Sequence, residues 1–433
     1  MDSYSVTLER IYNLREGVID LRLDRMERAL ALFDHPQRKF ASLHIAGTNG
    51  KGSTAAMVQR ILSLSGYRTA LYTSPHLVSF TERMRIGETE ISEQEVVALA
   101  DEVRRRCDGA AVALTFFEFV TVMAFVYFAR QQIDVAVIEV GLGGRLDATN
   151  VVTPLVAAIT TIAKDHQAYL GPDELSIARE KGGIIKPGVS VVCGKLSQAV
   201  ARLLKSIAME RGSSAYFLGE DFGFSLKNEG LFDYTGIKQH YSNIEVGLRG
   251  RHQRANASVA LAILELVEDR FPVDEKNLRQ GLATVRWPGR LEVMLERPTV
   301  ILDGAHNSEG VHALVDELDT LRQGRRIKLL FAAMADKEWE LMLGVLAKAV
   351  DEVIFTRVDM ERSADPHQLA AKLNAAIPHR VVRDSRVGVQ MLLDESQADD
   401  LVVIAGSLYL LGEVRPMLRQ LAVAQAASGQ RLN

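Results

Sequence analysis

Short apolar runs rich in β-branched residues alternate with longer helical stretches along this 433-residue chain. That alternation predicts an α/β protein with a mostly parallel sheet covered by helices on both faces. A glycine-rich turn, Ala46-Gly47-Thr48-Asn49-Gly50-Lys51-Gly52-Ser53, links the first strand to the first long helix, as in sheets of the P-loop type. After Trp287-Pro288-Gly289 a second, shorter series of strands and helices begins. The expected architecture is a mostly parallel P-loop-type sheet domain with a small antiparallel appendage, residues 1–286, and a smaller C-terminal α/β domain, residues 287–433.

The elements follow in order. Ser42–Ala46, Thr69–Tyr72, Asp134–Val140, Val156–Ile162 and Val189–Cys193 read as buried strands. Ser53–Ser65, Ser92–Arg106 and Phe117–Gln131 read as helices between them. Val112–Ala129 is nearly all apolar, but Glu118 interrupts it, which favours a buried helix over a membrane span. From Ala215 to Leu248, glycines, aromatics and alternation suggest the antiparallel appendage, and a helix is expected from His252 to about Arg270. The second series has strands near Val300–Asp303, Lys328–Ala332, Glu352–Thr356 and Leu401–Ala405. The last nine residues look frayed.

Composition excludes some functions. A formal charge of −4 argues against general nucleic-acid binding, which needs a basic surface. Two distant cysteines, Cys107 and Cys193, match no metal spacing and fit a reducing compartment. Met1–Arg15 has no apolar core of a secretory signal. The expectation is a cytoplasmic protein without membrane or nucleic-acid partners, and a monomer, since no heptad stands out.

The chemistry-bearing residues gather at strand ends. In the glycine loop, backbone N–H groups and the following helix N-terminus suit phosphate oxygens. Lys51 reaches the outer phosphates, and Ser53 or Thr54 offers a hydroxyl to magnesium. The general loop pattern has glycine where this chain has Ile45, and Ser or Thr where it has Gly52. Glu139 ends an apolar strand beside a glycine turn, a place for a carboxylate that holds magnesium against phosphates. His166, after Asp165, is a candidate metal ligand or general base, and Ser74, in Thr73-Ser74-Pro75-His76, a candidate hydroxyl ligand. Lys181 contacts phosphate, or ligates metal if carbamylated; the residues alone leave this open. Arg290, Asp303 and Asn256 are placed to clamp a nucleotide, with His306 nearby.

Taken in order, Gly47–Ser53, Thr73–His76, Glu139–Asn150, Asp165-His166, Glu180-Lys181, His252-Gln253 with Asn256, Trp287–Arg290, Asp303–Asn307 and Gly406–Tyr409 resemble folylpolyglutamate synthase/dihydrofolate synthase, the folate branch of the Mur ligase superfamily. The resemblance covers nearly the whole chain. It implies ATP-dependent addition of L-glutamate to dihydropteroate and to reduced folates through an acyl phosphate, with ATP and two magnesium ions.

Carried over, Thr48, Asn49, Gly50, Lys51, Ser53, Asn256, Arg290 and Asp303 bind ATP. Ser74, Glu139, His166 and a carbamylated Lys181 hold metal. Lys181, His166 and His306 are the catalytic candidates. The pterin lies against Leu21, Arg22 and Leu23, against Thr115, Phe116, Phe117 and Glu118, and against Leu146, Asp147 and Ala148. Arg22 departs from a family Gly, and Lys164 and Gly182 from residues more usually Leu and Ala. The Gly143–Asn150 run resembles enzymes that accept dihydropteroate, so a bifunctional enzyme is expected. The alternatives are a folylpolyglutamate synthase without dihydropteroate activity, another Mur-type amide ligase, and a slow ATP-hydrolysing switch protein.

Overall fold

The computed structural model describes residues 3–14, 22–227, 230–374 and 376–429. The chain divides into two compact units. The first comprises Met1–Gly247 and Gln253–Arg286; the second comprises Leu248–His252 and Trp287–Asn433.

The first unit is built on eight strands: β1 (Ala41–Ala46), β2 (Thr69–Tyr72), β3 (Met84–Ile86), β4 (Thr89–Glu90), β5 (Val135–Glu139), β6 (Val156–Ile159), β7 (Ser190–Cys193) and β8 (Ala215–Phe217). Their order across the sheet is β4-β3-β2-β5-β1-β6-β7-β8. From β2 to β8 every pairing is parallel; β3 and β4 add an antiparallel edge. All residues of β1, β2, β5 and β6 are buried, as a sheet covered on both faces requires. A second sheet, ordered β11-β10-β9, joins β9 (Gly223–Leu226), β10 (Phe232–Thr235) and β11 (His240–Ile244) antiparallel.

Among the boundaries that differ from the sequence expectation, two bear on the main sheet, and the helix expected from His252 to about Arg270 ends at Leu266. The pattern places Tyr216 and Phe217 in the antiparallel appendage, but β8 extends the main sheet in parallel with β7. The aromatic alternation of this segment fits a sheet edge of either sense, so composition could not separate them. The strand expected over Val156–Ile162 stops at Ile159. Thr160 and Thr161 lie just past its end, where their hydroxyls bond the glycine loop.

Helix Phe116–Arg130 anchors the largest core. A capping box starts it: Thr115 N–H donates to Glu118 Oε2 at 2.7 Å and Glu118 N–H donates to the Thr115 hydroxyl at 3.4 Å. Glu118 also accepts from Arg25, with Nη2 to Oε1 at 2.7 Å and Nε to both carboxylate oxygens at 3.2 Å. Both side chains are buried. The acid in the apolar run is thus explained by pairing and capping. Among the described residues no helix is long and apolar enough to cross a membrane.

The second unit holds a six-stranded sheet of β12 (Glu292–Glu296), β13 (Thr299–Asp303), β14 (Ile327–Phe331), β15 (Glu352–Phe355), β16 (His379–Val381) and β17 (Leu401–Ala405). Its order is β12-β13-β17-β14-β15-β16, parallel except for β12. The terminal helix runs from Leu408 to Gly429, so residues 425–429 are helical where fraying was expected; residues 430–433 lie outside the described range.

Breaking a buried ion pair strands a charge. Glu118→Ala is expected to lower the unfolding free energy by about 3–5 kcal/mol. The joint change Arg25→Met with Glu118→Leu should lose much less, about the 1 kcal/mol of the missing cap. Urea unfolding followed by circular dichroism checks this; equal losses would show that the pairing of the two charges is not what matters.

Candidate active site

The glycine loop leaves β1 and enters helix Lys51–Leu64, with Gly50 as the N-cap in the left-handed region at φ 86°. A Cβ at Gly50 would overlap the Asn256 amide, so both the backbone angle and the close approach require glycine. No side chain caps this helix, which leaves its first N–H groups free of side-chain acceptors and suited to an anion.

The loop is stitched to the segment after β6. Thr48 N–H donates to Thr161 O at 2.8 Å, Asn49 N–H to the Thr161 hydroxyl at 3.0 Å, and the Thr160 hydroxyl to Asn49 O at 2.6 Å. The Thr48 hydroxyl donates to Ala163 O at 3.2 Å and accepts from Ala163 N–H at 3.0 Å. Thr160 and Thr161 are loop-positioning residues that motif reading missed. Their only sequence signal is a hydroxyl pair at the end of a strand beside the glycine loop.

Two lysines meet at one backbone oxygen. Lys51 Nζ donates to Gly47 O at 3.0 Å and to Thr48 O at 3.1 Å, and Lys181 Nζ donates to Gly47 O at 2.8 Å. Lys181 closes helix Glu174–Gly182 and is buried. Burial, and then the charge of Lys51, lower its pKa to about 7, against the smaller upward pulls of Asp165 and Asp147. Ser53 and Thr54, in the first turn of the helix after the loop, are buried, and neither hydroxyl has a hydrogen-bond partner. Such orphaned oxygens fit a group that binds here from outside.

β5 lies beside β1, with Ile45 opposite Glu139. The Glu139 carboxylate is buried and accepts Ser74 N–H at 3.2 Å. The loops carrying Gly47, Ser74 and Glu139 therefore leave one edge of the sheet together. His166 opens the short helix Gln167–Leu170 in the left-handed region at φ 50°. Its exposed ring stands 3.8 Å from Asp165 Oδ1. Among the described residues no three His, Cys, Asp or Glu side chains form a metal-holding group. A magnesium site on a nucleotide draws instead on one or two carboxylates and phosphate oxygens.

A third group of predicted residues comes together beside the loop after β5. A Cβ at Gly141 would overlap the Phe117 ring, which seats the start of helix Phe116–Arg130 on that loop. Phe116 stacks on Tyr12 with ring centres 5.6 Å apart. Asp147 is buried and accepts Leu142 N–H at 2.8 Å and Thr149 N–H at 3.0 Å; burial raises its pKa while these bonds pull it back. Leu146 is half-buried and Ala148 buried. Arg22 is exposed and Leu23 begins helix Asp24–Ala31; Leu21 lies outside the described residues.

The second unit holds its own cluster. Asp303 ends β13, is buried, and accepts Leu291 N–H and Ala305 N–H, each at 2.9 Å. Burial raises its pKa and Arg290 opposes the rise. Leu291 is left-handed at φ 47°. Glu292, which accepts Gly289 N–H at 2.9 Å, is gripped by Arg415 at 2.7 Å. Arg290 is thus set on a turn fixed from both sides. His306 places Nδ1 2.7 Å from Gly304 O.

Residues 45–264 match the Mur ligase middle domain and residues 289–408 the Mur ligase glutamate ligase domain. The phosphate-loop fold and its ordered strand-end residues define a Mur-type ligase. A dihydrofolate synthase/folylpolyglutamate synthase of Bacillus subtilis (strain 168) is 33% identical over 415 residues, covering 92% of this chain and 95% of that protein. The structure of Escherichia coli FolC in complex with DHPP and ADP superposes with a TM-score of 0.89 at 30% identity, over 96% of this chain and 98% of that one. A bifunctional folylpolyglutamate synthase/dihydrofolate synthase from Yersinia pestis CO92, complexed with AMPPNP and Mn ion, gives 0.87 at 32% identity, over 96% and 98%. The chain belongs to the dihydrofolate synthase/folylpolyglutamate synthase family.

The depressed Lys181 pKa makes a prediction about stability. Between about 7 and the ordinary value of 10.5 the unfolded chain binds the proton and the folded chain does not, so wild-type stability rises with pH in that window. Lys181→Met is therefore expected to be more stable than wild type near pH 7, with the advantage shrinking toward pH 10. Chemical denaturation in buffers spanning that range checks it; a constant difference would mean that Lys181 stays protonated in the fold.

Proposed function

We propose that this chain is an ATP-dependent ligase that joins L-glutamate to dihydropteroate and to reduced folates. The observation that carries the reading is the uncapped helix after the glycine loop, with Lys51, Lys181 and the partnerless Ser53 and Thr54 hydroxyls around it. A carboxylate oxygen of the acceptor attacks the γ-phosphorus of ATP, giving an acyl phosphate and ADP. The glutamate amine then attacks the acyl carbon, and phosphate leaves as the amide forms and a proton is lost. The protein's part is to position three reactants and to stabilise charge.

Residues 1–286 act as the ATP-binding central domain and 287–433 as the glutamate-ligase domain. Thr48, Asn49, Gly50, Lys51 and Ser53 hold the phosphates through loop amides, the lysine charge and a hydroxyl. Asn256, Arg290 and Asp303 contribute nucleotide contacts, and His306 acts on the nucleotide or glutamate side. The buried hydroxyls of Ser53 and Thr54 fit a magnesium-nucleotide, and Ser74, Glu139, His166 and carbamylated Lys181 would hold the ions. Bound magnesium neutralises charge on the transferring phosphoryl group. Carbamylation needs the neutral amine, which a pKa of about 7 supplies in quantity at neutral pH; the nitrogen adds to carbon dioxide and releases one proton. The pterin lies against the loop Leu146–Ala148 and the helix start Thr115–Glu118. The enzyme works as a cytoplasmic monomer.

Phosphate release with Mg-ATP and L-glutamate, comparing dihydropteroate with a reduced monoglutamyl folate, tests the reading. Turnover with both acceptors is expected; turnover with one alone assigns a single activity, and turnover independent of either removes the ligase. Lys181→Ala should cut turnover at least a hundredfold, the scale of losing one preorganised electrostatic group. Added small carboxylates should restore part of it. Full activity of that variant would strip Lys181 of its role.

A further inference from the structure

His44 lies at the centre of β1, flanked by Ile138 of β5 and Ala157 of β6, and is fully buried. No motif includes it. An imidazole among apolar strands costs free energy unless it is hydrogen-bonded. Its Nε2 lies 2.8 Å from the Thr149 hydroxyl, while Nδ1 has no partner. That hydroxyl in turn contacts Asp147 Oδ1.

The proton positions follow from the partners. Asp147 already accepts backbone N–H groups from Leu142 and Thr149, so its carboxylate acts as an acceptor. The Thr149 hydroxyl must then give its hydrogen to Asp147, and its oxygen must accept from His44. This fixes the neutral tautomer with hydrogen on Nε2, leaving the lone pair on Nδ1. Burial, helped by the charge of Lys186, keeps the ring neutral by lowering its pKa to about 3.

We propose that His44 is a positioning residue for the pteridine acceptor: through Thr149 it orients the Asp147 carboxylate and thereby the loop from Leu142 to Thr149. The inference rests on the reading that Leu146–Ala148 line the acceptor site. Its physical content is a rigid strand that transmits its own position to a loop through two side-chain hydrogen bonds. Thr149 and Asn150 lie in the short 3-10 turn Ala148–Val151, and Lys186 donates to Asn150 O at 2.7 Å. The far side of the turn is thus held separately, and the His44 contact governs the side that carries Asp147.

The test measures KM for dihydropteroate, ATP and glutamate in His44→Phe, Thr149→Val, their double variant, Thr149→Ser and Asp147→Asn. His44→Phe keeps a ring, and Thr149→Val keeps the side-chain shape without the hydroxyl. His44→Phe and Thr149→Val are each expected to raise KM for the acceptor about tenfold, the scale of one hydrogen bond linked to a charge, with KM for ATP unchanged. The double variant should be no worse than the Thr149→Val variant, because the relay is then already cut. Thr149→Ser should restore the wild-type value.

A parallel rise of all three KM values, or no change in any, overturns the proposal. If His44→Phe does not fold, Thr149→Val against Thr149→Ser decides it by the same criterion. Asp147→Asn separates the underlying reading. An acceptor KM raised by Asp147→Asn but not by Thr149→Val overturns the relay alone. An acceptor KM that Asp147→Asn leaves unchanged removes the loop from the acceptor site, and the proposal with it.

Discussion

The register of β1 between β5 and β6 is the constraint on which the first unit depends. Ile45 stands opposite Glu139, and Ala46 opposite Ile159. Three parallel strands therefore end within a residue of one another, and their following loops leave the same edge. Loops that leave together must satisfy one another's backbone groups. Val140 N–H donates to Ile45 O at 2.9 Å, and Thr160 N–H to Ala46 O at 2.9 Å. The glycine loop is held by its neighbours before any ligand arrives, and its free amides belong to the helix that follows.

Positive groups crowd the glycine loop at that edge. The helix N-terminus contributes a partial positive charge, and two lysines converge on the Gly47 carbonyl. The competition at Lys181 has an order: burial acts most strongly, Lys51 next, and Asp165 and Asp147 only partly offset them. Lys181 gives up its proton readily beside Lys51, with a pKa of about 7, so the arrangement favours an added anion or a change in the charge of one lysine.

Much of this was legible in the chain. The alternation of short runs and helices located β1, β2, β5, β6 and β7, because a strand buried on both faces is a continuous apolar run. The second unit draws on Leu248–His252 as well as Trp287–Asn433, a division that no composition break signals. What pattern could not give was the sense of β8, whose residues Ala215–Phe217 fit a parallel or an antiparallel edge equally. Nor could it give the partners of Thr160 and Thr161, or the contact from His44 to Thr149, since these join residues more than a hundred positions apart. A lone histidine in an apolar run carries no spacing signal. Its meaning is visible only where the sheet sets it against another loop.

Both units use a buried carboxylate at a strand end or turn to shape a loop. Asp147 accepts two backbone N–H groups and a hydroxyl, and Asp303 accepts two backbone N–H groups. In each, burial pushes the pKa up and the bonds resist it. An amide of the same size would turn one accepting oxygen into a donor and set N–H against N–H. These acids thus do mechanical work at positions where a motif suggests direct chemistry. Asp303 holds Leu291 in a left-handed turn, and that turn sets where Arg290 leaves the backbone. A substitution at either acid moves the loop before it removes any ligand contact, so loss of activity at Asp147 or Asp303 alone does not distinguish a binding group from a support.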